Sequence, residues 1–246
     1  MPTTRDIVGT PDGSCPISLA TPAGEGPWPA VIMYPDAGGV RTAISDMTQH
    51  LANWGYAVVL PDVYYRHGHW EPFDMSTVFG DAAERGRLFA MLGSITANDM
   101  EIDARALLRH LSSRSEVRGD TVATTGYCMG GRMALTVAGR VPERVSAALS
   151  FHGGGLASDD PDSARNLADR IQAAVYVAGA QNDSAFTVED ADVLDSALRS
   201  AHVDHLIEWY DAAHGFAVPD SPAFDEAAAQ RHWIATRNFL AKYLVR

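Results

Sequence analysis

The sequence predicts an α/β fold: a mostly parallel central sheet flanked by helices on both faces. Three observations carry the prediction. Short, nearly continuous apolar runs recur at 30–34, 57–60, 122–125, 147–151, 174–178 and 205–210, the pattern of strands buried on both faces rather than the alternation of a sheet with one wet face. Several of them stop at Pro35, Gly126, Gly179 or Asp211, residues that favour turns over strands. Segments with helical spacing lie between most of them, at 42–54, 98–112, 131–139, 188–201 and 223–245, and strand–helix alternation implies parallel neighbours because a parallel pair needs a long crossover.

Taken in order, 16–21 precedes the first apolar run and reads as an antiparallel edge strand. The run at 30–34, the helix at 42–54 and the run at 57–60 then open the alternation. The stretch 64–97 breaks it, with Gly68, Pro72, Gly80, Gly86 and Gly93 among the aromatics Tyr64, Tyr65, Trp70, Phe73, Phe79 and Phe89. So long an excursion in a compact domain reads as a cap or lid over a site, with an ordinary surface insertion as the alternative. From 98 onward the alternation resumes and closes on the helix at 223–245. The 246 residues, 46% apolar and 20% charged, suffice for one domain spanning 1–246 with a substantial core.

Charge narrows the function. Nineteen Lys and Arg against 31 Asp and Glu give −12, the wrong sign for nucleic acid or an anionic membrane surface. Lys242 is the single lysine and no Gly-rich loop precedes it, which excludes a P-loop nucleotide enzyme. Cys15 and Cys128 read as reduced thiols. No leader-like stretch stands between Met1 and Ala20, and no run reaches the ~20 apolar residues of a membrane span. The expectation is a cytoplasmic protein that acts on a small molecule, and the composition leaves a homodimer open.

The strongest local signal is a strand followed at once by Gly126-Tyr127-Cys128-Met129-Gly130-Gly131 and a helix. This is the nucleophile-elbow pattern with Cys in the central place. A strained turn presents the nucleophile, flanking glycines let strand and helix approach, and the helix N-terminus favours thiolate and oxyanion alike. Partners follow in the order acid, then histidine. Asp183 comes after the run at 174–178 and His214 after the run at 205–210, so both lie just past strand C-termini, where open α/β sheets collect ligands. The run at 30–34 ends in Pro35-Asp36-Ala37-Gly38-Gly39, a loop suited to bring the Ala37 N–H beside that of Met129 as an oxyanion hole.

With these residues the chain resembles the dienelactone hydrolase family over nearly its whole length. The Gly126–Gly131 elbow, Asp183, His214-Gly215-Phe216, Pro61-Asp62-Val63-Tyr64-Tyr65-Arg66 and the Asp36 loop carry the resemblance. It implies an α/β-hydrolase fold, a Cys128–His214–Asp183 triad, and hydrolysis of a lactone or small carboxylic ester without metal or organic cofactor. It also points to Asp36, Tyr64, Arg66, Phe216 and Val218 as substrate contacts. Two positions depart from the family. Asp36 replaces a usual Glu that holds the resting thiol, and Val218 stands where dienelactone-specific members carry an Arg for the substrate carboxylate, which leaves only Arg66 of that anion clamp and keeps a neutral or differently shaped ester open.

Weaker features compete. His67 and His69 resemble half a metal site but read better as a solvated loop. His152 is a rival base, although His214 has the expected place in the order, and Cys15 reads as inert. A dinucleotide-binding oxidoreductase needs a glycine fingerprint after the first core strand, and Pro35–Gly39 is not one. A non-catalytic relative that binds small ligands or senses oxidants through Cys128 is the remaining alternative.

Overall fold

A computed structural model describes residues 2–244; Met1, and Val245 at the end of the expected last helix, lie outside the described residues. Eight strands form one sheet: β1 (Thr3–Thr10), β2 (Gly13–Ala20), β3 (Trp28–Tyr34), β4 (Ala57–Pro61), β5 (Val117–Tyr127), β6 (Val145–Phe151), β7 (Ala174–Asn182) and β8 (His205–Ala213). Their spatial order is β1-β2-β4-β3-β5-β6-β7-β8. The β1–β2 and β2–β4 pairs are antiparallel and all the others parallel. Each of the six expected core strands is present.

Strand β3 shows why its run is unbroken. Ala30, Ile32 and Tyr34 enter one hydrophobic layer with helices α3 (Ala97–Ser112), α4 (Met129–Arg140) and α5 (Val188–Ser200), while Val31 and Met33 enter the other with α1 (Thr42–Ala52) and α6 (Glu226–Tyr243). Successive side chains point to opposite faces, so a strand covered on both sides is apolar at every position.

One expectation is corrected. The segment 16–21 is not the sheet edge: it belongs to β2, and β1 pairs along its full length from Thr3 against Ala20 to Thr10 against Gly13. Strand β1 buries only Val8. It carries no apolar pattern to read, and its Arg5 and Asp6 suit an exposed edge.

The excursion at 64–97, read as a cap or lid, packs into the main core through Phe73, Met75, Val78, Leu88 and Met91. Within it lies α2 (Ala82–Ser94), whose Asp81 side chain accepts the Ala83 and Glu84 amides at the N-terminus, and whose Leu88 and Met91 are buried. Tyr64, Tyr65 and Phe73 are buried as well, and of its aromatics Phe79 and Phe89 are exposed. Gly86 and Gly93 disguise α2 because each lowers helix propensity by about 1 kcal/mol; the Asp81 cap and the buried face outweigh them. Among the described residues no helix is long and apolar enough to cross a membrane.

Candidate active site

The C-terminal ends of β3, β5, β6, β7 and β8 lie on one edge of the sheet, and the residue after each enters a loop there. Cys128 follows β5 and is the residue before α4, with φ 53° and ψ −116°. Such strain in a residue with a β-carbon persists only where the surroundings impose it. Here the Cys128 N–H donates to Phe151 O at 3.0 Å and to His152 Nδ1 at 3.1 Å, while its carbonyl accepts the Gly131 and Arg132 amides. A β-carbon on Gly126 would stand 2.1 Å from Gly130 O, and one on Gly130 would stand 2.3 Å from Tyr34 O. Both glycines are therefore demanded by close approach. The thiol remains half-buried at the surface of this turn.

Asp183 and His214 meet as their order in the chain suggests. His214 Nδ1–H donates to Asp183 Oδ2 at 2.7 Å, and Asp183 Oδ1 accepts the Ala185 amide at 2.8 Å, with the Asp183 side chain only 3% exposed. Burial opposes the imidazolium, but hydrogen bonds to Asp183 and Cys128 and the charges of both outweigh it, and the His214 pKa is pushed up to about 10. Asp211, the nearby carboxylate, is exposed.

Met129 is the first residue of α4, so its amide has no acceptor within the helix. The Ala37 amide makes no hydrogen bond among the described residues. Tyr64 Oη donates to Ala37 O at 2.9 Å from a fully buried position, and so fixes the loop from behind. Tyr64, expected against substrate, thus supports the loop after β3.

Four further residues expected to contact substrate have partners within the protein. Asp36 accepts from Arg41 Nη1 and Nη2 at 2.6 and 2.8 Å and from the Gly38 amide at 2.9 Å. Arg41 in turn donates to Asp220 at 2.7 and 2.8 Å. The Asp36 carboxylate thus belongs to an ion-paired latch between the loop after β3 and the loop after His214. Arg66 donates to both oxygens of Asp103 at 2.8 Å and to Asp12 at 2.7 Å, which leaves it no free edge for a substrate carboxylate. Glu71 pairs with His69. Phe216 and Val218 are fully buried: Phe216 stacks on Tyr210 at 4.9 Å, and Val218 N–H closes the turn onto Gly215 O. They hold the His214 loop.

One residue escaped sequence reasoning. Arg132 follows Cys128 by one turn of α4, half-buried, and its guanidinium has no hydrogen bond or ion pair among the described residues. It lines a cavity of about 340 Å³ with Leu92, Ile95, Met100, Asp160 and Asp162. The i to i+4 spacing from Cys128 was the available signal.

The profile of the dienelactone hydrolase family matches residues 16–244. The chain belongs to the dienelactone hydrolase family. Among individual members, the carboxymethylenebutenolidase of Pseudomonas sp. (strain P51) is 28% identical over 212 residues, covering 86% of this chain and 83% of that one. A crystal structure from Klebsiella pneumoniae superposes with a TM-score of 0.84 at 22% identity, covering 98% of this chain and 99% of its own. A dienelactone hydrolase-like promiscuous phosphotriesterase from metagenomic libraries superposes with a TM-score of 0.78 at 26% identity, covering 98% and 99%. As a dienelactone hydrolase family member the chain is a hydrolase of lactone or ester bonds, and the loops at the sheet edge are where its candidate groups converge.

Proposed function

We propose that the protein cleaves a lactone or small carboxylic ester by way of a thioester on Cys128. The observation that carries this reading is the His214–Asp183 hydrogen bond of 2.7 Å beside a strained elbow that presents Cys128. His214 Nε2 takes the Cys128 thiol proton, Cys128 Sγ attacks the acyl carbon, and the carbonyl oxygen takes the negative charge between the Ala37 and Met129 amides. The C–O bond then breaks, and His214 Nε2–H gives its proton to the departing oxygen. Once the sulfur is acylated, its charge no longer holds a proton on His214. The neutral imidazole takes a proton from water, hydroxide attacks the thioester, and Cys128 leaves as thiolate. Asp183 keeps Nδ1 protonated and the ring in register throughout.

Arg66 is engaged elsewhere, so an anionic group on the substrate would meet Arg132. Mixing with an activated aryl ester should release a burst of product equal to the enzyme, with the acyl mass on the Cys128 peptide after acid quench. A non-catalytic ligand-binding or thiol-sensing protein gives neither, and that outcome would replace this reading.

A further inference from the structure

His152 follows β6 by one position and is only 1% exposed. Its backbone is left-handed, φ 40°, and Cys128 at the end of the adjacent strand is strained in the same sense at φ 53°. The two are joined directly. The Cys128 amide shares its proton between Phe151 O and His152 Nδ1, and the His152 amide donates to Ala178 O on β7 at 2.8 Å. An Nδ1 that accepts carries no proton, so the neutral ring holds its proton on Nε2, and Nε2 is buried with no partner among the described residues. The ring stands edge-on to His214 at 5.1 Å and to Phe216 at 5.2 Å.

This geometry removes His152 as a rival base, because one ring nitrogen is engaged by an amide and the other already bears the proton. We propose instead that His152 is a positioning residue for the nucleophile: its Nδ1 holds the Cys128 amide, and with it the strained elbow, while its uncharged ring seats the His214 imidazole. The role rests on the reading of Cys128 and His214 as the reacting pair. Only the neutral Nε2–H form serves it. A proton on Nδ1 would set two donors against each other, and a charged ring would repel the His214 imidazolium. Burial and the charge of His214 both favour the neutral ring.

The test uses two variants of the full chain. His152→Asn places an amide oxygen near the Nδ1 position and tolerates left-handed backbone, whereas His152→Phe keeps the ring outline without an acceptor. The acylation rate with an activated ester, and the rate at which iodoacetamide alkylates Cys128, should fall roughly tenfold in His152→Phe with KM little changed, and His152→Asn should recover most of the loss. Wild-type rates in His152→Phe overturn the proposal. Equal losses in both variants also overturn it, since shape or strain would then be the cause. Should wild type show no burst, the hydrolase reading falls while the alkylation rates still decide the positioning role. If His152→Phe does not fold, the imidazole ¹⁵N spectrum of wild type decides: the neutral Nε2–H tautomer is expected, and a charged ring or an Nδ1–H tautomer overturns the proposal.

Discussion

At the residue scale, two cysteines in one fold have opposite chemistry because their surroundings differ. Cys15 is buried in β2, where desolvation, followed by the charges of Asp103 and Asp62, pushes its thiol up to about 12. Cys128 is half-exposed at a helix N-terminus beside His214. Iodoacetamide near neutral pH should therefore modify Cys128 and abolish ester hydrolysis while Cys15 stays free, as peptide mass mapping would show; full turnover by Cys128→Ala would refute the mechanism. The two arginines are separated in the same way. Arg132→Ala should weaken an anionic lactone roughly 10- to 150-fold, mainly through KM, and spare a neutral aryl ester, since one charge-assisted contact is lost. Arg66→Ala should leave both KM values alone and lower stability, because Asp103 is buried and loses its bidentate partner. Steady-state kinetics on the two esters, with urea unfolding, tell these outcomes apart.

At the scale of elements, the site is held together by contacts between loops that follow different strands. Arg41 joins Asp36 after β3 to Asp220 in the loop between β8 and α6. Its side chain and that of Asp36 are each 8% exposed, whereas that of Asp220 is 41% exposed. Arg41→Leu leaves a buried carboxylate with little besides the Gly38 amide and should destabilise the protein by about 3 kcal/mol. Asp220→Asn removes the wetter arm of the same latch and should cost under about 1 kcal/mol. Urea midpoints for the two variants measure the difference, and equal losses would show that the latch acts as a single unit. The loop after β8 is shaped from beneath by Phe216 against Tyr210, and it is this packing that delivers His214 to Asp183.

At the scale of the whole molecule, the buried histidines set a stability optimum. The His214 pKa is raised in the folded state to about 10, against an ordinary value of 6.5. Its contribution is complete below about pH 6.5 and is lost as pH rises through about 10. Burial holds His232 down at about 3 and His152 well below its ordinary range. Their contribution is present above pH 6.5 and is lost as pH falls, because the unfolded chain takes up protons that the native state refuses. Urea midpoints should therefore be highest close to pH 6.5 and lower at pH ~4.5 and ~9. A midpoint that climbs steadily from pH ~4.5 to ~9 would contradict the His214 assignment.

The sequence by itself determined the parallel core, the elbow and the order of the three candidate catalytic residues. These are local features: an unbroken apolar run marks a strand covered on both faces, and a glycine-flanked residue between strand and helix marks the elbow. Asp183 and His214 were legible because the ends of parallel strands share one edge of a sheet, so position along the chain implies position in space. Only the tertiary structure decided which charges pair and which side chains are buried. Arg41 and Asp220 are 179 positions apart, and Arg66 meets Asp103 across 37. Strand β1 became the edge only through its pairing with β2, and His152 reached the Cys128 amide only because β6 lies beside β5. The physical reason is that a polar side chain takes the partner that strand order and loop packing bring within about 3 Å, and spacing along one segment of the chain carries no record of that choice.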